Sequence, residues 1–246
     1  MLEQYLDPPA QSAAQGLLVA TAGAIVFTLV ANAAPEALFP KKTLVMGSPR
    51  WTAYSAIFFQ AVVYPYCLYR GLGDATGGTY DLAAWYSTGS MLDFGRYWER
   101  VYLFLFWLNL VKDFFGPVTM LFVVHHITCM FAIGVGLFAV DDAGVIFAVG
   151  TYAFEFGSLF YNIWTLLPKN GLVRPLYFAI FPLSNVVALY HLYRAFWLRN
   201  PGAWYSYAFL VIGPVLALMR QLECNQDIKG RLPTYGVNAA AVKKED

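Results

Sequence analysis

Long apolar runs separated by short polar stretches dominate the chain. Seven of them approach the roughly 20 residues a helix needs to cross a hydrocarbon core: residues 14–33, 51–69, 97–115, 118–140, 143–167, 175–198 and 203–219. The run at 97–115 is the most interrupted, because Arg100 and Lys112 leave only eleven uncharged residues between them. Its ends are expected to rely on these cations reaching out to the headgroups, with Tyr97, Trp98, Tyr102 and Trp107 suited to the interfaces. Gly116-Pro117 then breaks the helix before the next run. The run at 14–33 follows Glu3 and Asp7 rather than a positive region, so it reads as a retained span and not a signal peptide.

Composition sharpens this reading. Of the 246 residues, 59% are hydrophobic and only 13% are charged, whereas a soluble domain carries about a quarter charged residues. Nine of the 31 charged residues lie from Arg220 onward, which leaves too few to coat a globule of this size. The expected fold class is all-α, a polytopic membrane helix bundle of about seven transmembrane helices. Residues 1–50 form an N-terminal segment with the first helix, 51–219 a six-helix membrane domain, and 220–246 a cytosolic polar tail. A net charge of +1 offers no basic footprint for nucleic acid. Cys67, Cys129 and Cys224 have no zinc-site or disulfide spacing and read as small hydrophobes.

Loop charges set an orientation. Lys41, Lys42 and Arg50 follow the first run, Lys169 and Arg174 the fifth, and a Lys/Arg-rich segment the seventh. The excess of cations on one side makes that side cytosolic. Glu3, Asp7, Asp74, Asp81, Asp93, Asp141 and Asp142 fall opposite, together with Arg70, Arg96 and Arg199. The N-terminus is therefore expected in the lumen and the C-terminus in the cytosol. The Gly-, Thr-, Ser- and Asp-rich stretch 71–89 reads as a mobile luminal connector.

Polar groups at membrane depth are costly and point to function. The fourth run carries His125-His126, then Thr128 and Cys129; the fifth carries Tyr152, Glu155, Ser158 and Asn162; the sixth carries Asn185, His191 and Arg194. Glu155, Ser158 and Asn162 stand three and four positions apart, so they share one helical face. Adjacent histidines point about 100° apart, so only one can face a common centre while the other orients it or binds a second group. No His-x-x-x-His pair or second carboxylate suggests a metal site. The same residues could equally act as glue between helices.

Paired histidines in an apolar helix, followed about 30 residues later by Glu155-Phe-Gly-Ser158-Leu-Phe-Tyr-Asn162-Ile-Trp164, resemble the TLC-domain family of multi-span membrane proteins, which includes the ceramide synthases. The resemblance runs from about Trp51 to Met219. The polar Asp-x-x-Asp element of ceramide synthases is absent, which places the chain nearer the other TLC-domain-containing proteins. The resemblance implies a protein that binds or modifies acyl lipids, by acyl transfer in an active member. His125 or His126 would be the general base toward an amine or hydroxyl acceptor, and Glu155 or Asn162 would orient the histidine or the acceptor. Thr128, Tyr152, Ser158, Asn162, Trp164, His191 and Arg194 would bind substrate, with acyl-CoA as co-substrate and no other cofactor. The alternative is a non-catalytic lipid-binding or structural subunit of a larger membrane complex. Expected partners are membrane lipids and further membrane subunits that hold the termini. Lys243-Lys244-Glu245-Asp246 resembles a dilysine retrieval signal, read by a receptor rather than by lipid, and points to the endoplasmic reticulum.

Overall fold

In lipid every backbone amide must be satisfied within its own segment, and helices do this locally. The computed structural model describes residues 8–40, 44–45, 48–87, 89, 91, 96–115, 120–139, 143–168 and 170–228. Apart from a two-residue ribbon that pairs β1 (Leu44–Val45) with β2 (Ser48–Pro49), the regular structure among these residues is helical. The helices are α1 (Pro8–Ala33), α2 (Arg50–Phe58), α3 (Tyr64–Ala75), α4 (Leu82–Tyr86), α5 (Tyr97–Asp113), α6 (Met120–Phe138), α7 (Gly144–Leu166), α8 (Val173–Tyr193) and α9 (Trp204–Ile228). Glu3, Asp7, Lys41, Lys42, Asp93, Gly116-Pro117, Asp141, Asp142, Lys169 and the Lys243–Asp246 signal lie outside the described residues.

A helix occupies each of the seven apolar runs. Among the described residues four are long and apolar enough to cross a membrane: Ser12–Ala33, Gly144–Leu166, Val173–Leu198 and Trp204–Leu222. The chain is an integral membrane protein. The apolar part of α6 is shorter, Val123–Phe138, α5 carries Glu99, Arg100, Lys112 and Asp113, and α3 ends on Arg70 and Asp74. The outer faces are apolar in a way water would not tolerate: on α1 alone Leu18, Val19, Val26, Leu29 and Val30 are exposed.

Three findings depart from the sequence expectation. First, the cations of α5 do not reach for headgroups. Arg100 and Lys112 are buried, and Lys112 Nζ donates to Asp113 Oδ1 at 2.7 Å. Second, the 71–89 stretch holds structure. Asp81 caps α4 by accepting from the Ala83 and Ala84 amides, and buried Trp85 donates to Glu99 Oε1 at 2.7 Å. Third, α9 does not stop at Met219 but runs to Ile228, so Arg220, Cys224 and Asp227 are helical and buried.

Small residues set the close approaches. On α7, a Cβ at Gly150 would sit 3.1 Å from His191 Cβ, and one at Gly157 would collide with Ser184 Oγ. These glycines, seven positions apart, let α7 lie directly against α8. Between α2 and α3, Phe59–Val63 forms a π turn. Pro65 has no N–H to return to the carbonyl four residues back; one residue earlier, the Tyr64 amide reaches Phe59 O, five residues back. That local widening turns Gln60 inward, where it is 3% exposed.

Candidate functional site

Gln60 is the hub of a polar network that the helix ladder alone would not require. Its Nε2 donates to Glu155 Oε2 at 2.9 Å, and its Oε1 accepts from Asn162 Nδ2 at 3.0 Å. Its backbone carbonyl accepts from the Tyr152 hydroxyl at 3.3 Å. Tyr152, Glu155 and Asn162 of α7 thus converge on a residue of another helix. The direction of donation matters: Asn162 gives to Gln60 and Gln60 gives to Glu155, so the carboxylate ends the chain as an acceptor.

Ser158 lies about 60° round the helix from Glu155 and meets a different partner. Arg220 NH1 donates to Ser158 Oγ at 2.8 Å, its Nε donates to Asn185 Oδ1 at 2.7 Å, and its NH2 donates to the Phe154 carbonyl at 2.9 Å. The guanidinium also lies 4.2 Å from the Phe181 ring centre and 5.3 Å from that of Phe154. One cation therefore ties α7, α8 and α9 together.

Between these two groups lies a cavity lined by His125, Cys129, Thr151, Glu155 and Arg220, with Phe106, Phe147, Phe209, Leu192, Ile212 and Leu216 forming its apolar walls. Its free space is about 40 Å³, enough for about three waters. An acyl chain enters only if the aromatic walls rotate. His125 Nε2 stands 3.7 Å from Cys129 Sγ across one turn of α6. At the cavity wall, the Thr151 hydroxyl meets the Tyr102 hydroxyl at 3.1 Å.

The two histidines part company. His126 is 5% exposed, its Nε2 is 3.3 Å from Asp113 Oδ2, and its ring meets Phe114 edge-on. His125 alone lines the cavity. Thr128 donates to Val124 O within its own helix. Trp164 stacks on Tyr177 with ring centres 5.0 Å apart, inside a separate cluster with Phe181 and Cys224. His191 stacks on Tyr86 at 5.7 Å, and Arg194 lies over Tyr190; neither lines the cavity. The expected set therefore divides: His125 and Glu155 share the cavity, Tyr152, Ser158 and Asn162 support it, and His126, Thr128, Trp164, His191 and Arg194 have other surroundings. Among the described residues no group of three His, Cys, Asp or Glu side chains is placed to hold a metal.

Sequence reasoning missed Gln60, Asp113 and Arg220. Gln60 stands as a lone polar residue within the apolar stretch 57–63, and that was its signal. Arg220 was hidden by the charges that follow it. Toward the end of α9, Asp227 is also buried and accepts from the Tyr177 hydroxyl at 2.8 Å. Burial pushes its carboxyl up to about 6, against the lowering effect of that hydrogen bond.

Set against models of known protein families, curated proteins and solved structures, the chain matches none of them.

Proposed function

We propose that this membrane protein binds an acyl lipid at the cavity between α6, α7 and α9 and transfers its acyl group, in the manner implied by the TLC-domain resemblance. The observation that carries this reading is the cavity itself, where an imidazole (His125), a carboxylate (Glu155) and a guanidinium (Arg220) meet aromatic and aliphatic walls. A few convergent polar groups in a mostly apolar pocket are the usual form of a small-molecule site. His125 takes the proton of an amine or hydroxyl acceptor as that atom attacks an acyl-CoA thioester, and the departing thiol receives it. Glu155, fixed by Gln60, orients the acceptor, and Arg220 faces the charge that develops on the carbonyl oxygen.

The same reading takes all seven helices as spans, with the N-terminus luminal and the C-terminus cytosolic. His126 and Asp113 then lie toward the cytosolic side, where acyl-CoA arrives. The endoplasmic-reticulum address rests on the likeness of Lys243-Lys244-Glu245-Asp246 to a dilysine retrieval signal, together with the TLC-domain resemblance. A second reading has its own support: Arg220 occupies Ser158 and Asn185, two groups otherwise available to a substrate. That favours a lipid-binding subunit without turnover.

Labelled acyl-CoA and a panel of long-chain amines and alcohols, added to protein in nanodiscs, separate the two. Acyl transfer that falls by about 100-fold or more in His125→Ala supports the base assignment. Full turnover in both His125→Ala and His126→Ala contradicts it. Lipid retained without turnover on any acceptor favours the binding subunit.

A further inference from the structure

The three cysteines have different settings. Cys67 and Cys224 are 2% and 0% exposed and packed within hydrophobic clusters. Cys129 lines the cavity, and its Sγ lies 3.7 Å from His125 Nε2. Positions 125 and 129 stand four apart on α6, so one helical turn presents both groups to the same space.

A thiol within hydrogen-bond reach of an imidazole is the arrangement that covalent acyl transfer uses, because the base removes the proton as sulfur attacks. A third group orients such a base or stabilises the oxyanion in known sites of this kind. Here Thr151, Glu155 and Arg220 line the same cavity.

We propose that Cys129 is the nucleophile of this site and carries the acyl group as a thioester between donor and acceptor. The inference rests on the acyl-thioester donor named above and replaces direct attack by the acceptor with two successive transfers. In the first half, Sγ–H gives its proton to His125 Nε2 while Sγ bonds to the donor carbonyl carbon. The carbon–sulfur bond of the donor then breaks, and the donor thiol leaves with the proton from His125. In the second half, the acceptor N–H or O–H gives its proton to His125 as the nitrogen or oxygen attacks the Cys129 thioester. Sγ leaves and takes that proton back. One thioester replaces another in the first half, so no oxidant, reductant or further energy source is needed.

Intact-protein mass spectrometry of nanodisc-embedded protein, incubated with palmitoyl-CoA and no acceptor, tests this directly. The expected result is one palmitoyl adduct, released by neutral hydroxylamine and mapped to the peptide bearing Cys129. The adduct should be lost in Cys129→Ser, form about 100-fold or more slowly in His125→Ala, and persist when Cys67 and Cys224 are both changed to Ser. An adduct that survives in Cys129→Ser overturns the proposal. So does a wild-type protein that shows no adduct without acceptor yet makes acyl product once a long-chain amine or alcohol is added, a result that leaves the function above intact. Absence of both adduct and product removes the acyl-transfer reading along with the covalent step. Thermal unfolding of Cys129→Ser alongside wild type confirms that the variant is folded.

Discussion

Gln60 and Glu155 are 95 positions apart in sequence, yet the amide donates to the carboxylate at 2.9 Å inside the bundle. This bond joins the π turn after α2 to the middle of α7. It also makes Glu155 depend on a residue with no chemistry of its own. Gln60→Leu removes a donor to Glu155 and an acceptor for Asn162 together, and each buried polar group left unpaired costs about 1–3 kcal/mol. A clear fall in detergent melting temperature is expected. Glu155→Gln should fold almost as well as wild type, because its amide oxygen can still accept from Gln60. A Glu155→Gln protein that fails to fold would instead mean that the negative charge itself holds the bundle.

Arg220 is expected to be the most sensitive position of α9. Arg220→Met leaves Asn185 Oδ1 unpaired, again at about 1–3 kcal/mol, while Ser158 Oγ keeps its bond to the Phe154 carbonyl. Arg220→Lys does little better, since an ammonium cannot reproduce the three-way fork. Gly157→Ala attacks the same junction from the other side: the new Cβ collides with Ser184 Oγ and lies 2.9 Å from Arg220 NH2. Overpacking of this kind costs about 1–3 kcal/mol. Urea or thermal unfolding in detergent should rank both Arg220 variants and Gly157→Ala well below wild type. If Arg220→Met melts with wild type, the guanidinium is not the tie between α7, α8 and α9.

Asp227 gives a pH dependence with a definite sign. Its carboxyl titrates near 6 when folded, against an ordinary value of 3.8. Between those values the folded protein holds a proton that the unfolded chain has released. Stability contributed by this group is therefore greatest below about 4 and is lost as pH rises through about 6. Asp227→Asn removes that component, so the variant should gain on wild type in melting temperature as pH rises from 4 to 7. A constant difference across that range would show that Asp227 is ionised throughout.

Much of the bundle was legible because its signal is one-dimensional. A membrane helix announces itself by a continuous apolar run, and a helix forms in each run that the sequence marked. The close spacing of Glu155, Ser158 and Asn162 also placed them rightly on one side of α7. Contacts between distant helices carried no such signal. Nothing near His126 in the sequence indicates that Asp113, 13 positions earlier, takes its Nε2. Nothing in the α9 sequence separates a buried Arg220 from the charges that follow it, since both look like the start of a polar tail. Arg100 and Lys112 were read as headgroup-seeking for the same reason: a sequence shows a charge, and only packing shows whether a partner waits beside it.

The proposed function requires an acyl lipid in the cavity lined by His125, Glu155 and Arg220. Lipid mass spectrometry of protein purified in mild detergent tests it most directly, comparing wild type with His125→Ala and with Leu216→Trp, which fills the apolar wall. The expected result is a defined acyl lipid at near one per protein in wild type, reduced in His125→Ala and excluded by Leu216→Trp, with all three proteins folded. The same lipid at the same stoichiometry in Leu216→Trp would place it on the outer surface of the bundle and contradict the cavity as its site.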